Sequence, residues 1–207
     1  MSSAPETQVR VWDLFVRVFH WALVAAFTLA YILSEDDTLT LHTWFGYAVA
    51  ALVLARIVWG VIGPRHARFS DFVYRPSKAL AYLKDLALFR AKRHLGHSPA
   101  GGLMVVALLA SLLLTTFSGM AYYGTRGQTD AISSYVSRDL FGFAPVAPAI
   151  YKERLRDRGD RDLKELHETF GDISLILILA HIGGVVLASF AHRENLARAM
   201  VTGRKRR

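Results

Sequence analysis

The stretch "HETFGDISLILILAHIGGVVLASFAHREN", residues 167–195, decides how this chain folds. It is long and apolar enough to cross a bilayer, yet it carries His167 at its start and His181 in its middle. An ionisable side chain inside a membrane span is costly, so its default meaning is a functional site with a partner elsewhere in the chain.

Three more blocks match it in length. A spanning helix needs about 20 mostly apolar residues at a rise of ~1.5 Å each. Leu14 to Leu33, Leu41 to Ile62, Gly101 to Tyr122 and Phe170 to Phe190 all meet that length. Their continuity, without prolonged strand-like alternation, predicts an all-α, four-helix transmembrane bundle and argues against a barrel. The expected organisation is a single membrane domain over residues 1–207.

Lys and Arg in the short flanking loops set the orientation. The first loop, "SEDDTLT", holds three acids and no base, whereas Gly63 to Ser98 holds eight bases against Asp71 and Asp85, and the tail from His192 holds six against Glu194. Both termini and the long middle loop are therefore expected in the cytoplasm of a bacterium, in a multi-pass inner-membrane protein. Gly124 to Leu166 balances eight bases with seven acids and does not oppose this topology. Within it, "FGFAPVAPAI" reads as a loop and "KERLRDRGDRDLKEL" (Lys152 to Leu166) as a solvated helix leading into the fourth span. The N-terminus lacks the basic region and the cleavage site of a signal peptide, so the first span is expected to remain as an anchor.

The chain contains no cysteine, which excludes disulfides, thiolate metal centres, iron–sulfur clusters and covalent haem attachment. No phosphate-binding glycine loop, nucleophile elbow or metalloprotease motif occurs. The basic loop and the "GRKRR" tail are accounted for by orientation and anionic lipid, with no nucleic-acid partner.

Depth sorts the eight histidines. His20 lies about two turns inside the cytoplasmic end of the first span. His42 opens the second span and His167 the fourth, both at the periplasmic side. His181 follows His167 by fourteen residues, on nearly the same face about 21 Å further along. His20 therefore falls level with His181, and His42 with His167. Two imidazole pairs projecting from different helices are what bis-histidine haem ligation needs. With no thiol or carboxylate at these depths, zinc and di-iron centres are less natural. An internal echo, "HTWFG" in the second span and "HETFG" in the fourth, sets a glycine one turn after each histidine, where a side chain would collide with a flat macrocycle. Taken singly, each histidine has a plainer reading as an interhelical or interfacial residue, and the glycines also serve close helix packing. His66, His94 and His192 are expected to be solvated, with His192 the one substitute for His181 as a ligand.

Two features sit at the level of His20 and His181. Arg56, fourteen residues after His42, can face inward and pair with a haem propionate, or snorkel to the headgroups. "LGHSPAGG" opens the third span, with exposed glycine backbone and with His97 and Ser98 as hydrogen-bonding candidates for a quinone, or as ordinary helix capping.

"VRVWDLFVRVFHW", "LHTWFGY", "RIVWGVIGPRHARF", "LGHSPAGGLM", "LHETFGDISLILILAHIGGVVLASF" and "HRENLARAMVTGRKR" together resemble the bacterial cytochrome b561 family, in the branch that includes b-type cytochrome subunits of nickel–iron hydrogenases. The resemblance runs from about Val9 to the C-terminus and is weakest over Tyr135 to Arg161. It implies two b-type haems per chain, ligated by His20 with His181 and by His42 with His167. Both axial positions of each iron are then filled, which favours electron transfer over oxygen chemistry. The implied partners are membrane lipid, quinone and a periplasmic redox protein such as a hydrogenase or a c-type cytochrome. A stand-alone quinone-linked oxidoreductase acting on a small molecule such as superoxide stays open, as do the direction of electron flow and association into an oligomer.

Overall fold

The computed structural model describes residues 8–35, 38–125 and 149–207, with side chains described over 8–35, 38–124, 159 and 161–207. Asp36 and Asp37 of the acidic loop and residues 141–148 of the proline-containing segment lie outside the described residues.

Four long helices carry the chain: α1 (Leu14–Ile32), α2 (Leu39–Ile62), α5 (Pro99–Thr125) and α6 (Ala149–His192). Each is long and apolar enough to cross a membrane, as expected, over Leu14–Ile32, Leu39–Ile62, Pro99–Gly124 and Arg161–His192. Their outward faces are apolar: Ile62 is 70 % exposed and Phe190 75 %. In water that exposure would be unfavourable, and in hydrocarbon it costs nothing. The protein is a multi-pass membrane protein. The charged lead-in from Lys152 is helical and continuous with the fourth span, so His167 lies well inside α6 rather than at its start.

Contacts divide the chain into two compact units, each built from pieces of all four long helices. The first comprises residues 1–24, 54–109 and 176–207 and, among the described residues, holds the shorter elements: β1 (Gln8–Arg10), α3 (Phe69–Phe72), α4 (Pro76–Ala87), α7 (Leu196–Thr202) and β2 (Arg204–Arg206). β1 and β2 pair antiparallel, Val9 opposite Lys205, so the two ends of the chain lie on the same side. Beneath them Val11, Trp12, Val16, Ala67 and Ala199 form a buried cluster.

Local signals account for these junctions. Asp13 caps α1 by accepting the Val16 N–H at 3.0 Å, and Ser98 caps α5 by accepting that of Gly101 at 3.1 Å, with Pro99 at the first helical position. Asn195 caps α7, which stops at left-handed Gly203 (φ 76°). The Gly203 carbonyl then accepts from Val11 and Trp12, at 2.8 and 3.1 Å, and ties the tail to the N-terminal strand.

Charge closes the same end. Glu194 accepts two bonds from the Arg93 guanidinium and lies 3.6 Å from the Lys205 ammonium, which also donates to the His94 carbonyl. Burial lowers the pKa of Lys205, and Glu194 opposes that shift. His94 and His192 are half-buried here rather than solvated: the His94 Nδ1–H donates to the Lys92 carbonyl, and His192 Nε2 pairs with the Tyr82 hydroxyl. His66 is also half-buried, with its ring against Gly96. Loop and tail fold back over these rings, which a count of neighbouring bases did not reveal.

The second unit, residues 25–53 and 110–175, has its buried contacts around Ala121 and Leu163. Its buried hydroxyls return to their own helix: Thr115 bonds the Ser111 carbonyl, Thr116 that of Leu112 and Ser118 that of Leu114. Thr115 Oγ1 also meets Ser174 Oγ at 3.1 Å, a polar link from α5 to α6.

A Cβ at Gly203 would sit 2.7 Å from the Trp12 carbonyl oxygen, on a backbone that L residues disfavour. Gly203→Ala should therefore cost about 1–3 kcal/mol and loosen the terminal strand pair, read as faster hydrogen exchange at Val11 and Trp12.

Candidate functional site

The four histidines predicted from depth come together in two pairs, one in each unit. In the second unit the His42 and His167 ring centres are 5.9 Å apart and nearly perpendicular, at 88°. In the first, His20 and His181 are 6.5 Å apart at 54°.

The surroundings of His42 and His167 fix their tautomers. Ala30 lies in the last turn of α1, where carbonyls have no partner within the helix, and its oxygen lies 2.8 Å from His42 Nδ1. The Thr115 carbonyl lies 2.8 Å from His167 Nδ1. A carbonyl only accepts, so each Nδ1 carries a proton, and in a neutral ring the lone pair is then on Nε2. That arrangement orients a metal-binding imidazole and raises its basicity.

His167 reaches Thr115 through a notch. A Cβ at Gly119 would lie 2.8 Å from both Nδ1 and Cε1 of the His167 ring. Sequence reasoning missed this residue: a glycine in the middle of a span, in "FSGM", was the available signal. The glycines it did single out divide: a Cβ at Gly46 or Gly171 would meet no atom within 4 Å, whereas Gly102 of "LGHSPAGG" is buried rather than exposed, and a Cβ there would run into the Phe72 carbonyl. Gly46 and Gly171, one turn after His42 and His167, thus leave clear space beside that pair.

In the first unit, His20 packs edge-on against Trp21, and its Nδ1 is buried without a protein partner. Arg56 is 2 % exposed, which disposes of snorkelling. One of its terminal nitrogens donates to the Ala67 carbonyl at 3.1 Å, and the guanidinium lies over the Phe69 and Phe72 rings. Nη1 has no protein partner, a costly state for a buried cation unless an anion completes it.

His97 is held between Trp12 and Phe72, with ring centres 4.7 and 4.3 Å away, and its Nδ1 too is buried without a protein partner. Ser98 beside it is engaged in capping α5. Burial, then the charges of Arg56 and Lys205, push the His97 imidazole down to about 3, so it is neutral at physiological pH.

Each histidine pair suits an axial metal-binding role. Two metal–imidazole bonds of about 2.0 Å, with roughly 1.1 Å from each nitrogen to its ring centre, require a centre-to-centre distance of ~6.2 Å. The observed 5.9 and 6.5 Å bracket that value. Among the described residues no three His, Asp or Glu side chains converge, so each pair offers two protein donors. A porphyrin would supply the further donors that such a pair lacks.

Four apolar spans and imidazoles paired between helices are what a membrane b-type cytochrome needs. The family model for prokaryotic cytochrome b561 matches residues 11–203, and the chain belongs to that family. The family implies b-type haem, and its model covers every paired histidine together with Arg56, His97 and Ser98. Comparisons with curated proteins and with solved structures give no match.

The depressed pKa of His97 sets a pH dependence. An unfolded histidine takes up a proton below about 6.5 while folded His97 does not, so its contribution to stability is retained above that pH and lost as pH falls toward 3. Between pH 7.5 and 5 the loss attributable to this group should approach about 2 kcal/mol. It should be absent in His97→Gln, measured as the difference between denaturant midpoints of the two proteins at each pH.

Proposed function

We propose that this membrane cytochrome holds two b haems, one on His20 and His181 and one on His42 and His167, in a single di-haem domain. It passes electrons between membrane quinone and a periplasmic redox protein such as a hydrogenase or a c-type cytochrome. The observation that carries the reading is the spacing of the two imidazole pairs, each joining two spans at the distance an axial pair requires.

The chain's own residues have distinct tasks. His42 and His167 hold their Nδ1 protons on the Ala30 and Thr115 carbonyls and present Nε2 as the ligand atom. Gly119 keeps the His167 ring in place, and Gly46 and Gly171 leave clearance for a macrocycle edge. Arg56 uses Nη1 to neutralise a haem propionate at the His20 and His181 pair. His97, neutral and aromatic-flanked, hydrogen-bonds a quinone carbonyl beside the same pair, with Ser98 positioning the start of α5. Haem held by two of these histidines would supply one-electron transfer and leave no open site for oxygen.

The charge distribution supports the inner membrane with cytoplasmic termini, which sets His20 and His181 in the cytoplasmic half and His42 and His167 toward the periplasm. A periplasmic partner then exchanges electrons at one pair and quinone at the other.

Pyridine haemochrome analysis should give two b haems per chain. His42→Ala or His167→Ala should remove one and the same haem, and His20→Ala or His181→Ala the other. A single haem in fully loaded protein, or loss patterns coupling His20 to His167, would overturn the assignment. The His97→Ala protein should keep both haems and their spectra, yet be reduced by a quinol analogue about tenfold more slowly, the loss of one good hydrogen bond. Reduction at the wild-type rate would remove the quinone from this position.

A further inference from the structure

α4 carries more apolar surface than the protein covers. Successive helical residues are about 100° apart, and Ala79, Tyr82 and Leu86 form one buried stripe. Beside it, at spacings of three and four, Leu80, Leu83 and Ala87 form a second, with Leu80 65 % and Leu83 48 % exposed. Lys78 and Asp85 lie on the face opposite this second stripe, and Lys84 flanks it. Directly after the helix, Leu88 and Phe89 are 51 % and 68 % exposed. Phe89 also holds a left-handed backbone, φ 55°, which is strained for a bulky residue. A strained turn that presents a phenyl ring to water would be unfavourable twice over.

The position of α4 identifies what covers this surface. On its buried face the Tyr82 hydroxyl bonds His192, the last residue of the fourth spanning helix. Phe72, shortly before α4, packs its carbonyl against Gly102 in the first turn of the third. The helix therefore lies at the level where two spans leave the hydrocarbon, with its outer stripe exposed. Between Arg75 and Lys92 the chain has five bases and one acid, the sign that anionic lipid headgroups attract.

We propose that α4 lies in the headgroup–acyl boundary of the leaflet on the side of the termini, with Leu80, Leu83, Leu88 and Phe89 inserted among the lipid chains and Lys84 reaching back to the phosphates. Anchored so, α4 fixes the end of the fourth span to the membrane surface through the Tyr82–His192 bond.

The chain has no cysteine, so single cysteines can be introduced without a background. Leu80→Cys, Leu83→Cys, Lys78→Cys and Asp85→Cys, each spin-labelled in proteoliposomes of phosphatidylethanolamine and phosphatidylglycerol, should separate into two classes. Labels at 80 and 83 should collide with oxygen at least threefold more, relative to a water-soluble nickel chelate, than those at 78 and 85. Alkylation of the unlabelled cysteines by a membrane-impermeant maleimide gives a second readout that does not depend on the label, slow at 80 and 83 and fast at 78 and 85. Equal access of the chelate to all four positions would place the stripe in water. Shielding of 80 and 83 from both oxygen and chelate would mean that a protein surface covers it. Either result overturns the proposal.

Discussion

A histidine inside hydrocarbon must give both of its ring nitrogens an occupation, because an unpaired polar atom there has no water to fall back on. That requirement governs this molecule. His42 meets half of it at the frayed end of α1, where the Ala30 carbonyl has no helical partner, and His167 at the Thr115 carbonyl. In the proposed function, Nε2 of each would meet the other half as a metal ligand. His20 shows the same constraint in another form, with a buried Nδ1 that no protein atom meets.

The rest of the structure follows from holding these rings still. A carbonyl can orient a ring only if the helix bearing it is approached closely, and Gly119 permits that approach on α5. Nearby hydroxyls return to their own helix, so they neither compete for the rings nor remain unpaired. Where a full charge is buried, at Arg56, one side of the guanidinium is satisfied by a carbonyl and two aromatic rings, and Nη1 has no protein partner.

The charged end of the molecule obeys different physics. There Glu194, Arg93 and Lys205 compensate one another outside the spans, and the antiparallel pairing of the two termini is closed by a left-handed glycine. Removing one partner would strand the others, since a buried charge is tolerated only in company. His94 and His192 are drawn into this cap, which explains why rings beside so many basic residues are half-buried.

The sequence by itself determined the four spans and the histidine pairs. Span length is a property of local composition, and histidine depth follows from counting residues along helices of alternating direction. Tertiary structure decided what counting cannot reach. The carbonyls that orient His42 and His167 lie on other helices, twelve and fifty-two residues away. The notch at Gly119 depends on which face of α5 meets α6. Arg56 was open to two readings until its burial showed that it does not snorkel, because only packing decides whether a long side chain turns inward or toward the headgroups. The strand pair between the chain ends was invisible for the same reason: three residues at each terminus have no local signature, and only closure of the fold brings them together.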